Sequence, residues 1–385
     1  MKRMLTGIKP TGTFPHIGNL MGAMLPLAEQ AKKYDTAIFI PDLHALTSIR
    51  DGKVLNENIR NGLISYLAVL GRDTGVTIFR QSDIVGLTKL SWILSCFTPL
   101  SLMHRAHTYK DFQEKISHFE KEKNYLLGGF DTIKEFINDG KLSIKKEDLA
   151  RYINRKNFLE EQSKDFELNI QNAKKAFYDG LNMWTFDYPI LMAADIIGYD
   201  VDVVPVGKDQ LQHLEMARDM ARYVNHHYGE EILREPKAII DDSIAVIPGL
   251  DGRKMSKSYN NYISMFEDSA TLKKKIAGIP TDDKTLEEPK DPDTCNVFAL
   301  IKTFWEKKEV EEIRKKYKKG GYGYGHAKQE LHAILDRFIA PYRDAYAELN
   351  KLSDEELFEP VRRGNAKMQK RLDEVLERLK KYIGV

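Results

Sequence analysis

The residue pattern predicts an α/β fold: a parallel sheet with helices on both faces, interrupted by a helical insertion and followed by a helical carboxyl-terminal region. Three observations point there. Short apolar runs alternate with amphipathic stretches of ten or more residues over the first hundred positions. The alternation stops between about 109 and 185, where charged residues dominate. It resumes at 188 and gives way to helical periodicity after 260.

In order, residues 2–8 read as a strand running into the turn Lys9-Pro10-Thr11-Gly12, and 20–32 as a helix. Residues 36–40 form a second strand and 56–70 a second amphipathic helix. Residues 76–79 form a third strand, ending in Arg80-Gln81-Ser82-Asp83. Open parallel sheets bind ligands beyond the carboxyl ends of their strands, which puts 7–12, 41–47 and 81–83 at the candidate site. Stretches 112–123 and 148–174 read as surface helices of the insertion. A helical run through Tyr188 and Asp195, a strand at 201–206 and an amphipathic helix at 211–223 then restore the pattern. Turns fall at 278–280 and 320–325. The expected division is a Rossmann-like nucleotide-binding domain over 1–260, insertion included, and a helical domain over 261–385.

The bulk properties narrow the function classes. The 385 residues are 42% hydrophobic and 30% charged with a net charge of +2, so no overall polycation exists. Nucleic-acid contacts must come from local patches such as Arg314-Lys315-Lys316-Tyr317-Lys318-Lys319, for which a solvated helix face is a close competitor. Two cysteines, Cys96 and Cys295, are too far apart for a metal knuckle and fit a reducing compartment. No stretch reads as a signal peptide or membrane span, so a soluble, cytoplasmic protein without membrane partners is expected.

Two segments carry chemistry. In Thr6 through Asn19, a strand hands over to a helix whose amino terminus favours anions. Gly18 allows a flat ring close to the backbone, and His16 and Asn19 can donate towards phosphate. Alone, this segment reads equally well as an ordinary turn and helix cap. The second is the glycine-containing loop that leads to Lys254-Met255-Ser256-Lys257-Ser258. Such a loop can close over a triphosphate and set two ammonium groups against charge that develops as pyrophosphate leaves. A solvated basic loop is the plain alternative, and the joint occurrence of both segments decides against it.

Together the segments resemble the two signatures of the class I aminoacyl-tRNA synthetases. Lys254-Met255-Ser256-Lys257-Ser258 matches without change; His16-Ile17-Gly18-Asn19 ends in asparagine, as is common in the tryptophan-specific members. The resemblance extends over 41–47, 188–196, 204–213, 253–260 and 321–328, most of the chain outside the insertion. It implies attack of the L-tryptophan carboxylate on the α-phosphorus of ATP, aided by Mg²⁺, followed by transfer to tRNA(Trp) in a homodimeric enzyme. It also implies catalytic roles for His16, Asn19, Lys254 and Lys257. The ATP contacts it implies are Lys9, Pro10, Thr11, Gly18, Asn19, Gly207, Lys208, Asp209, Ile247 and 254–258 (Met255, Ser256 and Ser258 included). Asp195 would accept from the indole N–H, a group that only donates. Met192, Ile196, Val204 and Val206 would wall the ring with His44 nearby, while Tyr188 and Gln210 hold the ammonium. The helices at 331–342 and 366–382 would read the anticodon.

Some positions depart from the family pattern. Lys9 replaces a common glutamine, Leu5 an aromatic residue and Thr108 a glutamine, and the insertion is longer than in compact members. His213 reads as structural. His226 and His227 fall in a polar loop without a metal role, and no protein metal site is expected. The rivals are a tyrosine–tRNA ligase of the same subclass and a non-catalytic RNA-binding paralogue.

Overall fold

The computed structural model describes residues 1–7, 10, 12, 14–105, 183–207, 210–239 and 247–384, with isolated positions between 114 and 175. Lys9, Thr11, Thr108, Lys208, Asp209 and almost all of the insertion therefore lie outside the described residues.

Five strands, β1 (Arg3–Gly7), β2 (Asp35–Ile40), β3 (Thr77–Arg80), β4 (Val203–Pro205) and β5 (Lys237–Ile239), form one parallel sheet ordered β3-β2-β1-β4-β5. Met4 pairs with Thr36 on one side and Val203 on the other. Strand side chains alternate between faces, and the core divides accordingly. Met4, Ile38 and Val203 pack with Leu27 on one face. Leu5, Ala37, Phe39 and Phe79 face the larger cluster on the other. The order reverses between β1 and β4, so their carboxyl ends flank the crevice where doubly wound sheets bind ligands.

The first crossover begins as α1 (Ile17–Asn19), widens into a π-helical turn over Leu20–Met24 and continues as α2 (Leu25–Ala31). After β2 come α3 (Asp42–Ala45) and α4 (Gly52–Leu70). Helix α4 starts earlier than its apolar periodicity predicts, because Asp51 caps it by accepting from the N–H groups of Lys53 and Val54. Helices α5 (Leu87–Phe97), α6 (Leu100–Met103), α7 (Trp184–Ile197) and α8 (Leu211–Tyr228) follow. Leu90 and Leu94 of α5, Ala193 and Ile197 of α7 and Leu214 and Ala217 of α8 fill the larger cluster. His226 and His227 close α8 instead of lying in a loop; the helix runs on to a left-handed Gly229.

Helices α9 (Ser269–Ala277), α10 (Asn296–Phe304), α11 (Lys307–Lys319) and α12 (Tyr324–Leu349) build a second core around Leu272, Phe298, Ile313 and Leu335. After the short α13 (Asp354–Leu357), α14 (Glu359–Ile383) returns to the sheet. Its Met368, Leu372, Val375 and Leu379 belong to the larger core of the sheet, so this helix does not pack as part of the second core. It also covers the β3 edge: Asn365 Oδ1 accepts the Arg80 N–H at 2.9 Å and Lys367 donates to Thr77 Oγ1 at 3.0 Å. The approach needs Gly364, where a Cβ would stand 1.8 Å from the Ile78 carbonyl oxygen. Gly364→Ala is therefore expected to destabilise the protein by roughly 1–3 kcal/mol. A shift in the denaturation midpoint checks this, and an unchanged midpoint would contradict the close contact.

Among the described residues, no helix is long and apolar enough to cross a membrane.

Candidate active site

At the β1–β4 reversal lies a cavity of about 390 Å³. It is lined by Met192, Asp195, Ile196, Val204, Val206, Gly207, Gln210 and His44, which the sequence separates by up to 166 positions. Leu5 reaches the same cavity from β1. Asp195, 1% exposed, is the buried acid of this otherwise largely apolar space. Both its oxygens accept from Gln81 Nε2, at 2.9 and 2.8 Å. Burial pushes the Asp195 carboxyl well above the usual carboxylate range and the nearby Asp42 charge adds to this, while the Gln81 bond opposes them. The sequence placed 81–83 at the ligand end of the sheet but gave Gln81 no contact of its own. Its signal was positional, since it begins the turn directly after β3.

Tyr188 does not line this cavity but is tied to it. Its hydroxyl lies 3.3 Å from His213 Nε2, and His213 Nδ1 lies 3.0 Å from Gln210 Oε1. Since an amide oxygen only accepts, Nδ1 carries the proton and Tyr188 donates to Nε2. The expected structural role of His213 is thus specific: it joins the two residues expected to hold the ammonium. The Tyr188 ring also meets His44 edge-on, centroids 5.8 Å apart.

Across α1, His16 and Asn19 form a reciprocal cap. The Asn19 N–H donates to His16 Nδ1 at 3.2 Å, and the His16 N–H donates to Asn19 Oδ1 at 3.1 Å. Burial first, then the charges of Lys257 and Lys254, bring the imidazole down to about 4. At neutral pH the ring is therefore neutral, with its proton on Nε2, available to an anion. Asn19 keeps its side-chain N–H₂ for the same purpose. Gly18 is required by the cap itself, since a Cβ there would stand 2.8 Å from His16 Nδ1.

The lysine loop is anchored at both ends. Ile247 and Met255 are buried with Ile17 in the second core, and the Met255 N–H donates to the Ile247 carbonyl at 2.9 Å. Asn261, 3% exposed, ties the loop together: it donates to Asp251 Oδ1 and the Lys254 carbonyl and accepts from the Ser256 N–H. Nothing in its sequence context marked Asn261 out. Ser256 Oγ in turn accepts the Ser258 N–H at 3.2 Å and starts the turn over Lys257–Tyr259. Burial lowers the Lys257 ammonium from its ordinary value. Lys257, Pro10 and Asn19 line a second cavity of about 230 Å³, with Asn58, Asn61 and Ser65 of α4 opposite and no carboxylate among the described lining residues. The arrangement offers a cation and several amides to an anion, beside an apolar cavity with one buried acceptor.

The family described as tRNA synthetases class I (W and Y) matches residues 1–131 and 147–340. A tryptophan–tRNA ligase of Fusobacterium nucleatum is 37% identical over 385 residues, all of this chain and 98% of that protein. One from Campylobacter jejuni strain RM1221 is 35% identical over 384 residues, the full length of both. The crystal structure of Campylobacter jejuni tryptophanyl-tRNA synthetase complexed with ADP and tryptophan is similar at a TM-score of 0.76 and 34% identity, covering all of both chains.

Proposed function

The chain belongs to the class I tRNA synthetases of the tryptophan and tyrosine group, and from that membership we propose that it activates L-tryptophan with ATP and transfers it to tRNA(Trp). The observation that carries the amino-acid choice is the buried Asp195 in a cavity walled by Met192, Ile196, Val204 and Val206. The indole N–H donates to Asp195 and the apolar walls take the ring. Phenylalanine would leave that buried acceptor unpaired, a strong ground for rejection. Gln210 and Tyr188, bridged by His213, hold the ammonium.

The tryptophan carboxylate attacks the α-phosphorus of ATP, the bond to the bridging oxygen breaks, and pyrophosphate leaves; a hydroxyl at the tRNA 3′ end then attacks the aminoacyl carbonyl of the adenylate, and AMP leaves. No protein nucleophile is needed, so catalysis rests on position and charge. Lys254 and Lys257 offset the developing negative charge, with His16 Nε2–H and the Asn19 amide donating to phosphate. Gly207, Ile247, Met255, Ser256 and Ser258 take the nucleoside and triphosphate, together with Lys9, Thr11, Lys208 and Asp209. Among the described residues no carboxylate lines the second cavity, so those residues offer Mg²⁺ no charged ligand there. The ion would come held by phosphate oxygens, whose charge it would reduce. ATP–pyrophosphate exchange across the standard amino acids tests the reading. Exchange with tyrosine but not tryptophan overturns the specificity, and RNA binding without any exchange overturns the activity.

For tRNA, we assign the anticodon-reading surface of the 261–385 region to helices α9–α12; the expected second helix, 366–382, lies within α14, whose Met368, Leu372, Val375 and Leu379 are taken up by the core of the sheet. Within the basic run of α11, Arg314 pairs with Asp293 at 2.9 Å and lies over the Phe298 ring, and Lys316 pairs with Glu330 at 3.2 Å. Arg314 is thereby half-buried and Lys316 is engaged by a carboxylate, which leaves the exposed Lys315, Lys318 and Lys319 for phosphate. Their triple replacement by glutamine should weaken tRNA binding and flatten its salt dependence by up to about 0.9 log unit per lost contact. Adenylation should persist; unaltered tRNA affinity would return the stretch to a solvated face.

We further propose a cytosolic homodimer. Trp92 of α5 is 72% exposed and shares a surface groove with Trp184 and Leu191 of α7, an apolar face suited to a second copy. Trp92→Asp should shift sedimentation to the monomer; an unchanged assembly would place the interface elsewhere.

A further inference from the structure

Gln81 is fully buried and held from both sides. Its Oε1 accepts the His44 N–H at 3.1 Å, while its Nε2 donates to both oxygens of Asp195. The His44 N–H fixes the amide's orientation. A flipped amide would set its oxygen against the Asp195 carboxylate and its N–H₂ against a backbone N–H, losing every bond at once. We propose that Gln81 is a positioning residue for tryptophan selection: its amide, locked by His44, holds Asp195 as a hydrogen-bond acceptor for the indole N–H. This inference rests on the reading of Asp195 as the indole partner and deepens it.

The need for such a residue follows from the surroundings. Asp195 sits within reach of the Asp42 charge and beside Tyr199, whose buried hydroxyl has no hydrogen-bond partner among the described residues. Asp42 is itself engaged by Arg80 Nε and by the Ser82 hydroxyl and N–H. His44, the remaining titratable side chain among the described residues that line the cavity, meets Gln81 through its backbone N–H. Among the described residues, Gln81 is the side chain that donates to Asp195. Burial and the Asp42 charge both favour a protonated acid, which could turn a donor towards the donor on the substrate. Each carboxylate oxygen has two lone pairs, so Asp195 can accept from Gln81 and still take an indole N–H. Because Gln81 follows β3 directly and bonds α3 and α7, it fixes the acceptor relative to two walls of the cavity.

The test is ATP–pyrophosphate exchange by the full-length protein with tryptophan and with β-(3-benzothienyl)alanine, in which sulfur replaces the indole N–H. Gln81→Met removes the donor and keeps the length. It should lower kcat/KM for tryptophan about 10- to 100-fold, mostly through the KM for tryptophan, with the KM for ATP unchanged. The sulfur analogue should lose far less, so discrimination shrinks, and the tryptophan loss should deepen as pH falls. Gln81→Glu, of nearly the same shape, should show the opposite slope. Its acid form donates to Asp195 at low pH, and its carboxylate repels Asp195 at high pH. In an Asp195→Ala background, where the acceptor is gone, Gln81→Met should add less than about threefold, because coupled residues are not additive. Equal losses for both substrates, or full additivity with Asp195→Ala, would reduce Gln81 to a structural role and overturn the proposal. An intact tryptophan-to-analogue ratio in Asp195→Ala itself would overturn the indole-acceptor reading and the proposal together. If Gln81→Met does not fold, the pH slope of Gln81→Glu decides alone, since a slope like the wild type's overturns the proposal.

Discussion

Lys257→Ala should slow aminoacyl-adenylate formation about 10²- to 10³-fold, the usual effect of removing one group that stabilises transition-state charge. Tryptophan affinity should stay nearly intact. The separation follows from the geometry, because the cavity lined by Lys257 and the cavity lined by Asp195 share none of the described residues. Single-turnover adenylation and equilibrium tryptophan binding, measured on the same variant, check this; equal losses in both would contradict a transition-state role. A second readout is independent of turnover. The Lys257 charge helps depress the His16 imidazole to about 4, so its removal should raise the His16 pKa towards the ordinary 6.5. An NMR titration of His16 that does not move would show that the lysine stands farther off.

Asp195→Ala should weaken tryptophan binding about 10- to 100-fold, the worth of a hydrogen bond to a charged group. It should also remove most of the discrimination against phenylalanine, which such sites can carry to about 10⁴–10⁵. The wild type should show a pH signature. An N–H donor binds the carboxylate better than the acid, and the pKa of Asp195 in the free protein is raised. Tryptophan affinity is therefore full above that pKa and falls by up to about tenfold per pH unit below it, with proton release accompanying binding there. Calorimetry in buffers of different ionisation enthalpy reads the released proton directly. Asp195→Asn should abolish both slope and release; a wild-type slope in that variant would move the titrating group elsewhere.

Strands β1 to β4 were readable from the sequence because they are largely buried, and short apolar runs of that kind stand out between amphipathic helices. The position of Asp195 was readable too, through its family context. What escaped depended on contacts between distant segments. The early start of α4 comes from one cap at Asp51, which carries no periodic signal. Strand β5 is three residues long, too short to alternate. Asn261 and Gln81 look like any polar residues until the fold brings Asp251 and Ser256 around one, and Asp195 and His44 around the other. Helix α14 has a helical pattern that says nothing about its partner, and only the structure sets it on β3.

That helix has a bearing on how the protein comes into being. It follows every other described element in the chain, yet its Met368, Leu372, Val375 and Leu379 fill the core laid down by the first strands. A nascent chain leaving the ribosome therefore carries a β3 edge with open N–H groups until residues beyond 360 emerge. Amino-terminal fragments that stop short of α14 should be sticky and easily degraded. Adenylation competence would then wait for residues 360–383, long after the strands that carry the site have been made.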